Sequence, residues 1–181
     1  MTVFILSRFK KCPPDKIIAV YNRSDARRPV KCLYNRKVFV RPFFESYALM
    51  DITPMMIKLD AEGLRTKRNV RVGLPSWFAV GISTEPGIME TAVECLMGLR
   101  HSEVQDLAEE IILGQLRLVV ALWTVEKIDL NRERFLDDVS QNIGSGLKKL
   151  GLRLINVNIT DFTDEAGISE RRAHAFAAEA I

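Results

Sequence analysis

The sequence predicts an α+β fold: an antiparallel sheet packed against three or four helices, followed by the start of an exit helix. Three observations carry this expectation. Apolar positions recur with period two from residue 16 to 82, they recur at helical spacing from Pro86 to Leu150, and a short apolar run returns as a strand after Gly151. Strands first, helices next and a strand last differ from the regular strand–helix alternation of a parallel α/β sheet.

KIIAVY (16–21), KVFV (37–40) and MIKLD (56–60) are short alternating runs bounded by turn-rich or proline-bearing stretches, so each predicts a strand. The longest strand is predicted over 69–82, with Val70, Val72, Leu74, Phe78, Val80 and Ile82 on one face. Pro75 removes a ladder donor from it, which predicts a bend, a bulge or an edge position there. Pro86 then fits the first turn of a helix whose stripe is Ile88, Ala92, Cys95, Leu96 and Leu99. Ser102 with Gln105 three residues on predicts a capping box. The helix behind it, carrying Leu107, Ala108, Ile111, Ile112, Leu118 and Leu122, reads as strongly amphipathic to fully buried. Thr124 caps a brief turn through Ile128, and Asn131 opens a third helix with Phe135, Val139, Ile143 and Leu147 inward. Gly151 ends that helix as a left-handed cap. The returning strand, 152–160, places Ile155, Val157 and Ile159 on one side. Ser169 finally caps an Ala-rich helix whose stripe is Ala173, Phe176, Ala177, Ala180 and Ile181, a pattern too short to establish a coiled coil by itself.

A chain of 181 residues with 48% hydrophobic and 27% charged positions has the means to bury a core as one domain with a tail or a domain of two lobes. Its net charge of +3 is unevenly placed. Residues 1–41 hold eleven Lys or Arg against Asp15 and Asp25, while the remainder holds 15 basic against 21 acidic residues. Such asymmetry fits either a face turned to a polyanion or an ordinary solvated surface. TVFIL (2–6) falls short of the ~20 residues of a transmembrane helix. Its basic residues follow the apolar run, which is the wrong order for a signal peptide. That order is, however, the grammar of the cytoplasmic end of a membrane segment; the alternative is a first strand using Val3 and Ile5.

Chemistry is sparse. Cys12, Cys32 and Cys95 form no Cys-x-x-Cys pair and have only two histidines to help them, which points to reduced thiols and away from a zinc site. Cys12, just after the basic flank, reads as an ordinary thiol, with lipidation as the alternative. Gly144-Ser145-Gly146 has neither nucleophile-elbow nor dinucleotide-loop spacing and lies inside a predicted helix, where its glycines predict a weak or kinked turn. His101 and His174 read as loop and surface residues. Asp161, Asp164 and Glu165 precede a predicted helix, whose positive end they suit better than they suit a cation. No catalytic, cofactor-binding or metal residue is predicted.

Five segments, in order, carry a resemblance: CPPDKI (12–17), LDAEGLRTKRNVRV (59–72), VGISTEPGIM (80–89), EEIILGQLRLVVALWTVEKI (109–128) and LKKLGLRLINVNITDFTDEAG (147–167). They are similar to the flotillin branch of the SPFH or band 7 (stomatin, prohibitin, flotillin) superfamily, of the bacterial type. The sequence departs from that pattern at Gly144–Gly146, where relatives carry better helix formers. The resemblance implies a membrane-proximal apolar and basic segment over 1–11, an SPFH domain over 12–166, and the start of a coiled-coil helix over 167–181. A long hydrophobic segment stands just before the CPPDKI position in bacterial relatives, so this chain reads as one that begins inside it. The function implied is a non-catalytic scaffold on the cytoplasmic face of the cell membrane that assembles with copies of itself and organises microdomains. Its partners would be itself, anionic lipids and a small membrane protein with an OB-fold domain. Phe4, Ile5 and Leu6 would enter the lipid boundary while Arg8, Lys10 and Lys11 meet phosphates. The rival reading is a basic nucleic-acid-binding module, which the +9 segment fits but whose interleaved aromatics or recognition-helix pattern the sequence lacks.

Overall fold

The structure is a computed structural model that describes residues 9–22, 25–41, 44–160 and 163–164. It is α+β, with antiparallel strand pairing and four helices among the described residues. The strands are β1 (Phe9–Lys11), β2 (Lys16–Asn22), β3 (Asp25–Tyr34), β4 (Lys37–Phe39), β5 (Glu45–Asp51), β6 (Met55–Arg65), β7 (Arg71–Ile82), β8 (Leu152–Ile159) and β9 (Thr163–Asp164). The helices are α1 (Ile88–Leu96), α2 (His101–Leu122), α3 (Val125–Leu130) and α4 (Arg132–Lys148). In place of one sheet the strands form three, with orders β1-β4, β3-β2-β5 and β6-β7-β8, β9 also pairing with β7. Two compact units divide the chain. One draws on the stretches up to Met55, Val80–Val104 and Leu147–Arg153, the other on Met56–Ala79, Gln105–Gly146 and the chain from Leu154 on.

In the first unit β2 is the central strand, and Ile17, Ile18, Ala19 and Val20 are buried in succession. Burial of consecutive residues means that both faces are covered, which is why this run lacks strict alternation. β3 and β5 flank it, with Ile18 opposite both Leu33 and Leu49. The sequence did not mark β3, because Pro29 and its charged neighbours read as a turn. The pairing accommodates the proline at a shift of register, where Tyr21 faces Pro29 after Val20 has faced Lys31. An irregular ladder position is where a residue without an N–H is tolerated. β5 was missed for another reason: as an edge strand it leaves Tyr47 and Leu49 exposed, so its apolar residues do not all mark the core.

Helix α1 begins two residues later than its sequence cues indicate. Pro86 lies in the preceding turn, Gly87 is the cap with a φ of 89°, and the Glu90 carboxylate accepts the Gly87 N–H. The buried stripe is Met89, Ala92, Val93 and Leu96, not the one through Cys95, which is exposed. Both stripes satisfy helical spacing over nine residues, so only packing could choose between them. Ala92, which both stripes share, packs against Gly151. The φ of Gly151 is 77°, and a Cβ there would stand 2.3 Å from the Ala92 backbone, so α1 sits directly against this glycine. The Gly151 carbonyl also accepts the Ser83 N–H at 2.9 Å.

In the second unit β6 and β7 form a hairpin whose Asn69 takes a φ of 62°, closed by the Thr66 N–H donating to the Val70 carbonyl at 3.0 Å. Val72, Leu74, Ser76 and Phe78 are buried at every second position, with Gly73 buried between the first two, and Ser76 donates its hydroxyl to the Leu59 carbonyl at 3.3 Å. β7 is an interior strand, yet Pro75 meets no ladder conflict. Its carbonyl accepts from Thr160, one residue beyond the end of β8, while β9 reaches only Gly73 and Val72. The missing N–H therefore falls where one partner has ended and the next has not begun. On β8 the alternation slips, since Ile155 and Asn156 are both exposed. Ile155 is exposed, whereas Ile159 is buried.

Helix α2 is amphipathic. Ala108, Ile112, Leu116 and Val119 are buried, whereas Leu107, Leu118 and Leu122 are exposed, which is the amphipathic end of the expected range. Its start is held by Glu103, which accepts the Arg100 N–H at 2.7 Å, so the predicted Ser102–Gln105 box does not form. Gln105 instead donates to the Met56 carbonyl. Asn131 opens α4 as predicted, its carbonyl accepting the Phe135 N–H at 3.1 Å, and Phe135, Val139, Ile143 and Leu147 are buried. α4 runs unbroken through Gly144-Ser145-Gly146. A Cβ at Gly146 would lie 3.0 Å from Ile111 Cγ2 and 3.1 Å from Gln115 Cγ, so this glycine lets α4 approach α2 closely. Trp123 packs edge-on to Phe135 with ring centroids 5.6 Å apart and donates its indole N–H to Asp138 at 3.1 Å.

Candidate functional site

β1 and β4 form a two-stranded ribbon in which Lys10 lies opposite Val38 and Lys11 opposite Lys37. Residues directly opposite in an antiparallel pair project to the same side, and neighbours along a strand to opposite sides. Val38, 7% exposed, joins Cys12, Ile18, Val20 and Val40 in a buried cluster and so defines the inward side. Lys11, Lys37 and Phe39 stand on the other side, all exposed. Of the residues assigned to membrane contact, Lys10 and Lys11 thus lie on β1 but on opposite faces. The Lys10 ammonium lies 5.6 Å from the centre of the Tyr47 ring. Phe4, Ile5, Leu6 and Arg8 lie outside the described residues, as do Ala173, Phe176, Ala177, Ala180 and Ile181 of the exit helix.

Cys12 anchors the end of this ribbon. Its N–H donates to the Arg36 carbonyl at 3.1 Å, and its thiol, 1% exposed, donates to the Lys16 carbonyl at 2.8 Å. A buried thiol occupied in this way is an ordinary structural cysteine, not one presented for acylation. Cys32 is buried too, and its thiol is pushed up to about 11 by burial, with the Glu90 and Glu94 carboxylates adding to the effect. The Cys32 thiol is therefore not a poised nucleophile, because the reactive species is the thiolate.

The remaining polar candidates do not converge. Ser145 is exposed and donates its hydroxyl to the Asn142 carbonyl at 2.8 Å, a bond of the helix to itself. His101 opens α2 and, with Asp51, borders a cavity of about 350 Å³ that is otherwise lined by apolar side chains such as Leu49, Met55 and Leu96. The Asp51 carboxyl is held below its ordinary value by hydrogen bonds from the Thr53 hydroxyl and N–H, the latter at 2.8 Å. No serine or cysteine lines that cavity. Among the described residues no group of three His, Cys, Asp or Glu is arranged to hold a metal ion, and no helix is long and apolar enough to cross a membrane. His174 and the side chains of the Asp161, Asp164 and Glu165 cluster lie outside what is described.

Sequence reasoning singled out Lys10 and Lys11 but passed over Lys37 and Phe39. The signal was present in KVFV, whose alternation already sets Val38 and Val40 against Lys37 and Phe39. What was missing was the identity of the partner strand.

Comparison with known proteins fits this picture. The chain is 24% identical over 179 residues to the flotillin-like protein FloT of Bacillus subtilis (strain 168), covering 94% of this chain and 35% of that protein. It is 22% identical over 158 residues to human Flotillin-1, covering 87% of this chain and 36% of that protein. The chain therefore spans about a third of the length of these curated relatives. A family profile described as SPFH domain / Band 7 family matches residues 10–181, and with the α+β architecture above, this chain belongs to the SPFH/Band 7 family.

Proposed function

We propose that this chain is a membrane-associated scaffold module of flotillin type, acting on the cytoplasmic face of the cell membrane, without catalysis. The observation that carries the reading is the family match over residues 10–181, with flotillins among the relatives. The basic surface on β1 and β4 and the scattered polar candidates support it. Residues 1–11 form its membrane-proximal segment, 12–166 its SPFH domain, and 167–181 the start of a coiled-coil helix. Phe4, Ile5 and Leu6 enter the lipid boundary while basic side chains meet phosphate, a pairing needed because a single apolar anchor binds only marginally. Copies of the chain associate through the domain and the stripe of Ala173, Phe176, Ala177, Ala180 and Ile181. Many weak anchors on one assembly then give strong net attachment and organise microdomains. A small membrane protein with an OB-fold domain is the further partner proposed.

Co-sedimentation with vesicles tests the reading. Deleting residues 1–11 is expected to weaken binding to phosphatidylserine-containing vesicles, and binding is expected to fall as salt rises. Salt-dependent binding to duplex DNA or RNA with no binding to vesicles would favour the nucleic-acid module instead. Turnover of any substrate that is lost on changing Ser145 or His101 would overturn the non-catalytic part.

A further inference from the structure

We infer that the outward face of the β1–β4 ribbon, built from Lys11, Lys37 and Phe39, is a folded headgroup-binding surface for anionic lipid bilayers. It is distinct from the apolar N-terminal segment. This inference rests on the membrane reading above and adds a second contact to it.

The argument begins with a cost. Lys11 and Lys37 are directly opposite each other in an antiparallel pair, where like charges repel. Among the described residues neither has a carboxylate partner in an ion pair, whereas Lys58, Arg68 and Arg100 are each paired with an acidic side chain. The repulsion is not an accident of loose placement. The Val38 side of the ribbon is tied into the cluster with Cys12, Ile18, Val20 and Val40, so a one-residue slip would bury lysine and expose valine. The packing thus forces both ammonium groups outward together.

Beside them stands Phe39, 41% exposed, on the same face, and Arg36 is exposed in the turn that precedes β4. Lysines flanking an exposed aromatic ring on a short ribbon match the layered chemistry of a bilayer surface. Ammonium groups meet phosphate and carboxylate headgroups while the ring enters the boundary below. Charge complementarity calls for an anionic occupant, since residues 1–41 carry eleven basic residues against two acidic ones, and the membrane reading makes that occupant a bilayer. Lys10, turned to the other side and placed over Tyr47, is not part of this surface.

The test uses the full chain and vesicles of phosphatidylcholine with and without phosphatidylserine. Lys37→Glu is expected to weaken binding to the anionic vesicles about 30-fold, since each basic charge at the surface contributes roughly fivefold and the change removes one and adds its opposite. Phe39→Ser is expected to weaken binding less, and Lys58→Glu, at a lysine already paired with Asp60, less than twofold. Thermal melting by circular dichroism, repeated on Lys37→Gln, separates lost contact from lost fold. Wild-type binding that is unchanged in Lys37→Glu overturns this inference and leaves the membrane reading intact. Absence of wild-type binding to anionic vesicles overturns both. Loss of RNA binding in Lys37→Glu with vesicle binding unchanged would assign the face to nucleic acid and overturn the inference as well.

Discussion

The β6–β7 hairpin and the β1–β4 ribbon handle surface charge in opposite ways. On the β6–β7 hairpin and the helix near it, exposed cations meet carboxylates: Lys58 pairs with Asp60 at 3.2 Å and Arg68 with Glu126 at 2.6 Å. On the β1–β4 ribbon Lys11 and Lys37 face each other across the ladder. Exposed pairs of the first kind stabilise by at most about 1 kcal/mol each, so their role is largely to neutralise. Uncompensated pairs of the second kind cost a comparable amount in the free protein and regain it only against a polyanion. A surface that is costly when free is therefore informative in a way that a neutral one is not.

The units also differ in how glycine serves them, and here the largest effect is expected. Gly151→Ala combines a positive φ with a Cβ 2.3 Å from the Ala92 backbone, so about 3 kcal/mol or more of stability should be lost, measured by denaturant unfolding. Gly146→Ala meets Ile111 and Gln115 side chains at 3.0 and 3.1 Å and keeps helical geometry. Strain offset by better helix propensity predicts a loss of only about 1 kcal/mol by the same measurement. If the two variants were equally destabilised, the backbone of α1 would not be the rigid neighbour described above.

Next in size is a pH effect confined to the first unit. The Cys32 thiol is raised from 9.0 to about 11, so the unfolded chain loses its proton before the folded one. Its contribution to stability is fully present below pH 9 and is lost as pH rises from 9 to 11. Cys32→Ala should flatten the fall of melting temperature across that window. In the same range a maleimide should label exposed Cys95 well before buried Cys12 or Cys32.

The smallest effect sharpens the charge comparison most. Lys37→Glu places opposite charges across from each other, so the free protein should gain roughly 0.5 kcal/mol while anionic vesicle binding falls. Lys58→Glu should do the reverse in the second unit, losing about 0.5 kcal/mol with binding unchanged. A gain of stability with a loss of binding is what a surface kept for a partner shows, and loss of both at Lys37 would mark a merely structural lysine.

Much of this could be read from residue order alone, because local physics dictates it. The helical stripes through Phe135, Val139, Ile143 and Leu147, the Asn131 cap, the left-handed Gly151 and the alternation of β7 all follow from periodicity and backbone preference within one element. Tertiary structure decided what no single element contains. Which stripe of α1 turns inward was decided by packing, which buries Met89 and Val93 and leaves Cys95 exposed. Where Pro29 and Pro75 are tolerated depended on a register shift in one ladder and on the gap between β8 and β9 in another. The candidate surface has the same origin. The sequence placed Lys11 beside Lys10 and Lys37 beside Val38, but only pairing of β1 with β4 set Lys11 against Lys37 and turned Lys10 away. Alternation assigns sides within a strand, whereas the partner that shares a side is chosen by the packing of the whole chain.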